Sequence, residues 1–199
     1  GHLAGRFAFG ADCLESGALV STPTRAGEYW RAVTAITLHL DVGHLLANLG
    51  FGVVFGLLAG QLLGAGVAWA TVLVAAAAAN LLNAFLQPAA HSSVGASTAV
   101  FATLGLLAAY AWRRRRGESD RWAYRWAPLV AGVILLGFLG AGGERTDVLA
   151  HLTGFAMGAL AGVVHASFAV PRGTLAQWIA GGFAMGALVV AWAFALAGA

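Results

Sequence analysis

Six long apolar stretches, broken only by glycine, proline or charge, restrict the folding of this chain more than any other feature. They run roughly from His44 to Leu63, Val67 to Leu86, Ser97 to Trp112, Trp126 to Ala141, Val148 to Phe168 and Leu175 to Ala197. A helix needs about 20 apolar residues to cross a bilayer, and these runs reach or approach that length. With 60% of its 199 residues hydrophobic and 10% charged, the chain is too apolar and too weakly charged for a water-soluble domain. Lipid offers no partner to backbone N–H and C=O groups, so such segments must satisfy them internally as helices. The expected fold is therefore all-α, a polytopic transmembrane helix bundle of about six spans.

Charge then orients the bundle. All eleven basic residues are arginine, and six of them (Arg113, Arg114, Arg115, Arg116, Arg121 and Arg125) lie between the third and fourth stretches. The positive-inside rule makes that connection cytoplasmic and, by alternation, puts residues 1 to 38 and the start of the first span outside. The net charge of +3 is thus a topology signal, and no nucleic-acid partner is expected. A single cysteine, Cys13, excludes an intramolecular disulfide. Residues 1 to 43 read as an external loop, within which GEYWR (27–31) and the segment after it form an amphipathic element suited to the membrane interface. The lysine-free, alanine- and glycine-rich composition suggests a bacterial inner or plasma membrane.

Against this background the polar residues stand out, because ionisable or strongly polar groups at membrane depth are expensive and usually mark function. Ser97 opens the third span just after Gly95, and by itself reads as a helix cap or a hydroxyl bonded back to its own helix. His44 and Asn48 are four apart on one face near the outer end of the first span, and both can donate hydrogen bonds. In the fifth span His151, Gly154 and Gly158 share a stripe, and small residues at that spacing let two helices approach closely. If that stripe meets the Gly95 and Ser97 face, imidazole and hydroxyl come within reach of one another.

Asp147, one turn before His151, is either a third member that orients the imidazole or a plain charge at a helix start. Asn80 and Asn83 read as structural, and His91 as solvent-facing. The fourth span reads as packing or a gate, and the last carries no catalytic role. A zinc site fails for want of HExxH or of a carboxylate at ligand spacing from His39 or His44, and neither metal nor cofactor is expected.

Three ordered motifs, HLDVGHLLAN (39–48), VGASTAVFATLG (94–105) and AHLTGFAMG (150–158), together resemble the rhomboid family of intramembrane serine proteases, over roughly residues 9 to 165. GEYWR also looks like the tryptophan–arginine anchor of that family's first loop. The resemblance implies that Ser97 is the nucleophile and His151 the general base of a dyad. It implies further that His44 and Asn48, with the Ser97 N–H, form the oxyanion hole. Phe101 takes the position of the ring that stacks on the histidine, Gly154 and Gly158 that of the close-packing stripe, and His39 that of a histidine supporting the loop.

On this likeness residues 1–43 are an external loop, 44–168 the catalytic bundle and 169–199 an extra C-terminal transmembrane helix. The family's first span is expected to be missing before residue 10, and Thr98 stands where many members have glycine. The implied activity is that of a serine endopeptidase cutting transmembrane protein substrates within the bilayer. A rhomboid-like pseudoprotease that binds membrane clients would keep the fold but should lose Ser97 or His151. A transporter would show two similar halves and a continuous polar path, neither of which is visible.

Overall fold

The computed structural model describes residues 7–8, 11–116, 121–140, 146–170 and 172–198. Three short helices, α1 (Cys13–Gly17), α2 (Ser21–Arg25) and α3 (Arg31–Thr34), precede six long ones. These are α4 (Val42–Leu63), α5 (Ala65–Leu86), α6 (Ser97–Arg115), α7 (Trp122–Gly140), α8 (Val148–Ser167) and α9 (Thr174–Ala197). Two small antiparallel pairs complete the fold, β1 (Phe7–Ala8) with β2 (Ala11–Asp12) and β3 (Leu19–Val20) with β4 (Ser92–Ser93). The bundle is inside-out relative to a soluble protein. Leu46 and Leu57 of α4, Phe138 of α7 and Trp178 of α9 all point outward, as side chains facing lipid must.

Five of the long helices are long and apolar enough to cross a membrane; α6 falls short because its last turn is Arg113, Arg114 and Arg115. Yet α6 is the central helix, with ten of its residues buried, including Phe101, Leu104 and Leu106. Protein rather than lipid surrounds it, so it can tolerate a less lipophilic composition.

Glycine governs how α6 meets α8. A Cβ on Gly154, Gly158 or Gly162 would run into the carbonyl oxygens of Thr98, Ala102 and Leu106 in turn. Both series ascend together, so the two helices run parallel with backbones in contact. The stripe therefore packs along the 98, 102, 106 face, not the Gly95 and Ser97 face expected from spacing, since Gly95 is taken up by His44. Gly154 also makes room for the Thr98 methyl, one residue after Ser97.

The fourth long helix begins at Trp122, one turn before the expected Trp126, and so carries Pro128 inside it. Proline cannot donate to the carbonyl four residues back. That carbonyl, Tyr124 O, instead accepts from Arg115 Nη1 at 3.2 Å.

The region before α4 is a folded cap packed on α5 and α9. Arg31 donates to Glu15 O and Ala18 O and pairs with Glu28 at 2.7 Å, while Trp30 stacks on Phe194 of α9. Arg25 covers the carbonyl end of α5 through Ala84 O, Phe85 O and Gln87 O. Asn80 has the expected structural role, donating to Ala32 O at 2.8 Å. At the other end of α9, Gln177 bridges Leu63 O and the Val67 N–H across the α4–α5 turn, where Gly64 takes φ +85°. Helix α9 is thus fastened to the bundle at both ends.

Candidate active site

A cavity of about 930 Å³ opens among α4, α6 and α8, and Ser97, His151, His44 and Asn48 all line it. Ser97 is the first residue of α6. The turn before it depends on Gly95, whose φ of +134° disfavours a side chain. A Cβ there would also lie 2.6 Å from the His44 ring and 3.6 Å from Ser97 Oγ, so imidazole and hydroxyl both approach the bare face of Gly95. Two further bonds hold this segment. Gly95 N–H donates to Ala35 O at 2.9 Å, and Ala96 N–H donates to His39 Nε2 at 3.4 Å. Burial and the adjacent His44 lower the pKa of His39, which keeps its ring neutral and able to accept. The His39 and His44 rings meet edge to face at 5.2 Å.

One turn beyond His44, Asn48 is 8% exposed, and its Nδ2 has no partner among the described residues. An unpaired buried donor is costly. Here it sits on the cavity wall, where an incoming acceptor could satisfy it.

His151 is 7% exposed, with its ring 4.4 Å from that of Phe101 and tilted 37° to it. Its Nδ1 lies 2.9 Å from Gly140 O at the end of α7. A carbonyl can only accept, so Nδ1 carries the proton and Nε2 keeps its lone pair. A Cβ on Gly140 would stand 3.2 Å from the Phe101 ring and 3.4 Å from His151 Nδ1, so any larger residue would make these side chains give. Sequence reasoning missed this glycine. The LGAGG run (139–143) was the only hint, and a backbone carbonyl leaves no residue-type mark.

Asp147 makes no direct bond to the imidazole, because Gly140 O occupies Nδ1. It caps α8 by accepting from Ala150 N–H, and also bonds Asn83, Gln87 and His91. Nor is His91 solvent-facing: it reaches Asp147 at 2.7 Å and lines the cavity. Ser97 Oγ makes no hydrogen bond among the described residues.

A helical bundle with five apolar helices of spanning length, and a cavity at one end into which polar side chains reach, is an integral, multi-pass membrane protein. The model of the Rhomboid domain matches residues 26–168, and the chain belongs to the rhomboid family. Among curated proteins it is 29% identical to Rhomboid-like protease 2 of Toxoplasma gondii, over 74% of this chain and 51% of that protein. It is 34% identical to Rhomboid-like protease 3 of the same organism, over 66% of this chain and 49% of that protein. The chain thus spans about half the length of the curated relatives it matches. No solved structure matches it.

Proposed function

We propose that the chain is an intramembrane serine endopeptidase that cleaves transmembrane protein substrates with a Ser97–His151 dyad. The observation that carries the reading is the shared cavity. It gathers a hydroxyl, an imidazole with a free Nε2 and an unpaired amide donor from three helices. Membership of the rhomboid family and the protease names of the relatives support it.

In this mechanism His151 Nε2 takes the Ser97 proton as Oγ attacks the scissile carbonyl. Gly140 O holds the ring and accepts from Nδ1–H throughout, the part an aspartate plays in a triad. Charge develops on the carbonyl oxygen as the tetrahedral intermediate forms. His44 and Asn48 Nδ2 would donate to it, together with the Ser97 N–H, which as a first-turn donor has no helical acceptor. One such donor is worth about 3 kcal/mol, a hundredfold or more in rate. Collapse expels the new amino terminus, which takes its proton from His151, and leaves an acyl-enzyme on Ser97. Water from the cavity then hydrolyses it by the same proton path in reverse.

The substrate span must unwind to be cut, because a hydrogen-bonded helix does not offer its carbonyls to attack. The cavity lies at the end of the bundle opposite the arginine-bearing connection, so cleavage would take place toward the non-cytoplasmic face. A pseudoprotease that only binds clients is the second reading, and the presence of both Ser97 and His151 argues against it. The test is covalent labelling by a fluorophosphonate probe. Labelling that disappears in Ser97→Ala and in His151→Ala supports the dyad, and a wild-type chain that takes no label refutes it.

A further inference from the structure

Asp147 makes more bonds than a helix cap requires. Capping α8 takes one acceptor oxygen, here Oδ1 facing Ala150 N–H at 3.0 Å. The same carboxylate also receives Asn83 Nδ2 at 2.8 Å and Gln87 Nε2 at 3.2 Å from the end of α5, and His91 Nε2 at 2.7 Å. His91 belongs to the segment that runs directly into Gly95 and Ser97. The Asp147 side chain is 13% exposed and shares the cavity with Ser97 and His151. Enclosing a charge so far is costly unless its hydrogen bonds are made, and an uncharged serine or asparagine would cap the helix as well.

We propose that Asp147 is a positioning residue of the reaction: it ties the first turn of α8, which carries His151, to the segment that presents Ser97, and fixes a negative charge one turn from the imidazole. This rests on the dyad reading above. Two separable effects follow. The bonds to Asn83, Gln87 and His91 set where the base stands relative to the nucleophile. The charge favours the imidazolium that forms when His151 takes the Ser97 proton.

Burial would raise the Asp147 pKa, but bonds from Ala150 N–H, His91, Asn83 and Ser93 outweigh it and hold the group below the ordinary carboxylate range. The charge is thus present throughout the neutral range. The other titratable groups around the cavity are Asp41 and His44 at the start of α4, His91, and His151 itself, with His39 behind His44. Helices α6 and α7 bring none to it among the described residues.

The experiment measures fluorophosphonate labelling and cleavage of a transmembrane substrate against pH for the purified chain and four variants. Asp147→Asn keeps an acceptor but no charge; Asp147→Ser keeps the cap but cannot reach the other donors. His91→Gln keeps a side-chain donor and His91→Leu does not, and neither touches the cap. In Asp147→Asn, kcat should fall about tenfold with KM little changed. The acidic limb of its pH–rate profile should move down by about half to one unit, since the imidazole loses its anionic neighbour. Asp147→Ser and His91→Leu should lose a similar factor, and His91→Gln should recover most of it. Wild-type kcat and pH profile in Asp147→Ser would reduce the residue to a helix cap and overturn the proposal. So would a His91→Leu variant as active as wild type. If the wild-type chain takes no label, the dyad reading fails and this one with it; labelling with an unmoved Asp147→Asn profile sinks this one alone.

Discussion

Helix α8 carries two histidines that meet hydroxyls in opposite ways. His165 Nε2 lies 2.9 Å from Thr71 Oγ1, a closer hydroxyl–imidazole pair than any Ser97 makes, in a shallow groove of mainly small and aliphatic side chains between α5 and α8. His151 makes no bond to Ser97, yet its Nδ1 is held by Gly140 O, its ring lies against Phe101, and its cavity offers an unpaired amide. The difference teaches that a bonded hydroxyl and imidazole can stand in an unprepared groove while an unbonded pair stands in a prepared one, and the proposed dyad rests on the preparation. Thr71 lies within α5, its hydroxyl already bonded to His165, and among the described residues its groove holds no unpaired amide. Ser97 stands at a helix start on a glycine turn, with the unpaired Asn48 amide on the same cavity wall.

That contrast can be broken most directly at the two hydroxyls. Ser97→Ala should lower cleavage of a transmembrane substrate by about 10⁴-fold or more, with helicity and expression retained. Thr71→Val should change it less than about threefold, and the reverse ranking would move the site to the other groove.

Next in size is the packing that brings α8 to α6. Gly158→Val would drive a side chain into Ala102 O and should cost about 3 kcal/mol or more, read as a lowered thermal midpoint together with lost cleavage. Gly50→Ala, with nothing within 4 Å of its Cβ position, should leave the midpoint unchanged or raised.

Asn48→Ala should reduce kcat about a hundredfold while KM and the thermal midpoint hold, as loss of a donor used only in the transition state would. An equal loss of stability would make Asn48 a packing residue.

The smallest effect concerns His39. Its folded pKa is lowered, so the stability it contributes is present above its ordinary value near 6.5 and is lost as pH falls through the folded value. Relative to His39→Asn, which cannot titrate, wild type should therefore lose thermal stability below about pH 6.5. A difference that stays constant with pH would mean that Ala96 N–H does not depend on the neutral ring.

Much of this architecture was legible because hydropathy is a local property. Each apolar run between breaks became one long helix, with ends moved by a few residues at Asp41, which caps α4, and at Trp122. Motif spacing also named residues that the fold gathers on one cavity, since positions four apart share a helix face wherever the helix goes.

What spacing cannot carry is which backbone faces which side chain. The Gly140 carbonyl behind His151, the convergence of Asn83, Gln87 and His91 on Asp147, and the seating of the glycine stripe on Thr98, Ala102 and Leu106 join residues distant along the chain. The sequence by itself determined that this is a multi-pass helical membrane protein with polar groups set apart among apolar runs, because lipid penalises every exposed polar atom in the same way. Only the tertiary structure decided how those groups are oriented and what holds them, because helix crossings and backbone carbonyls are set by the packing of the whole bundle.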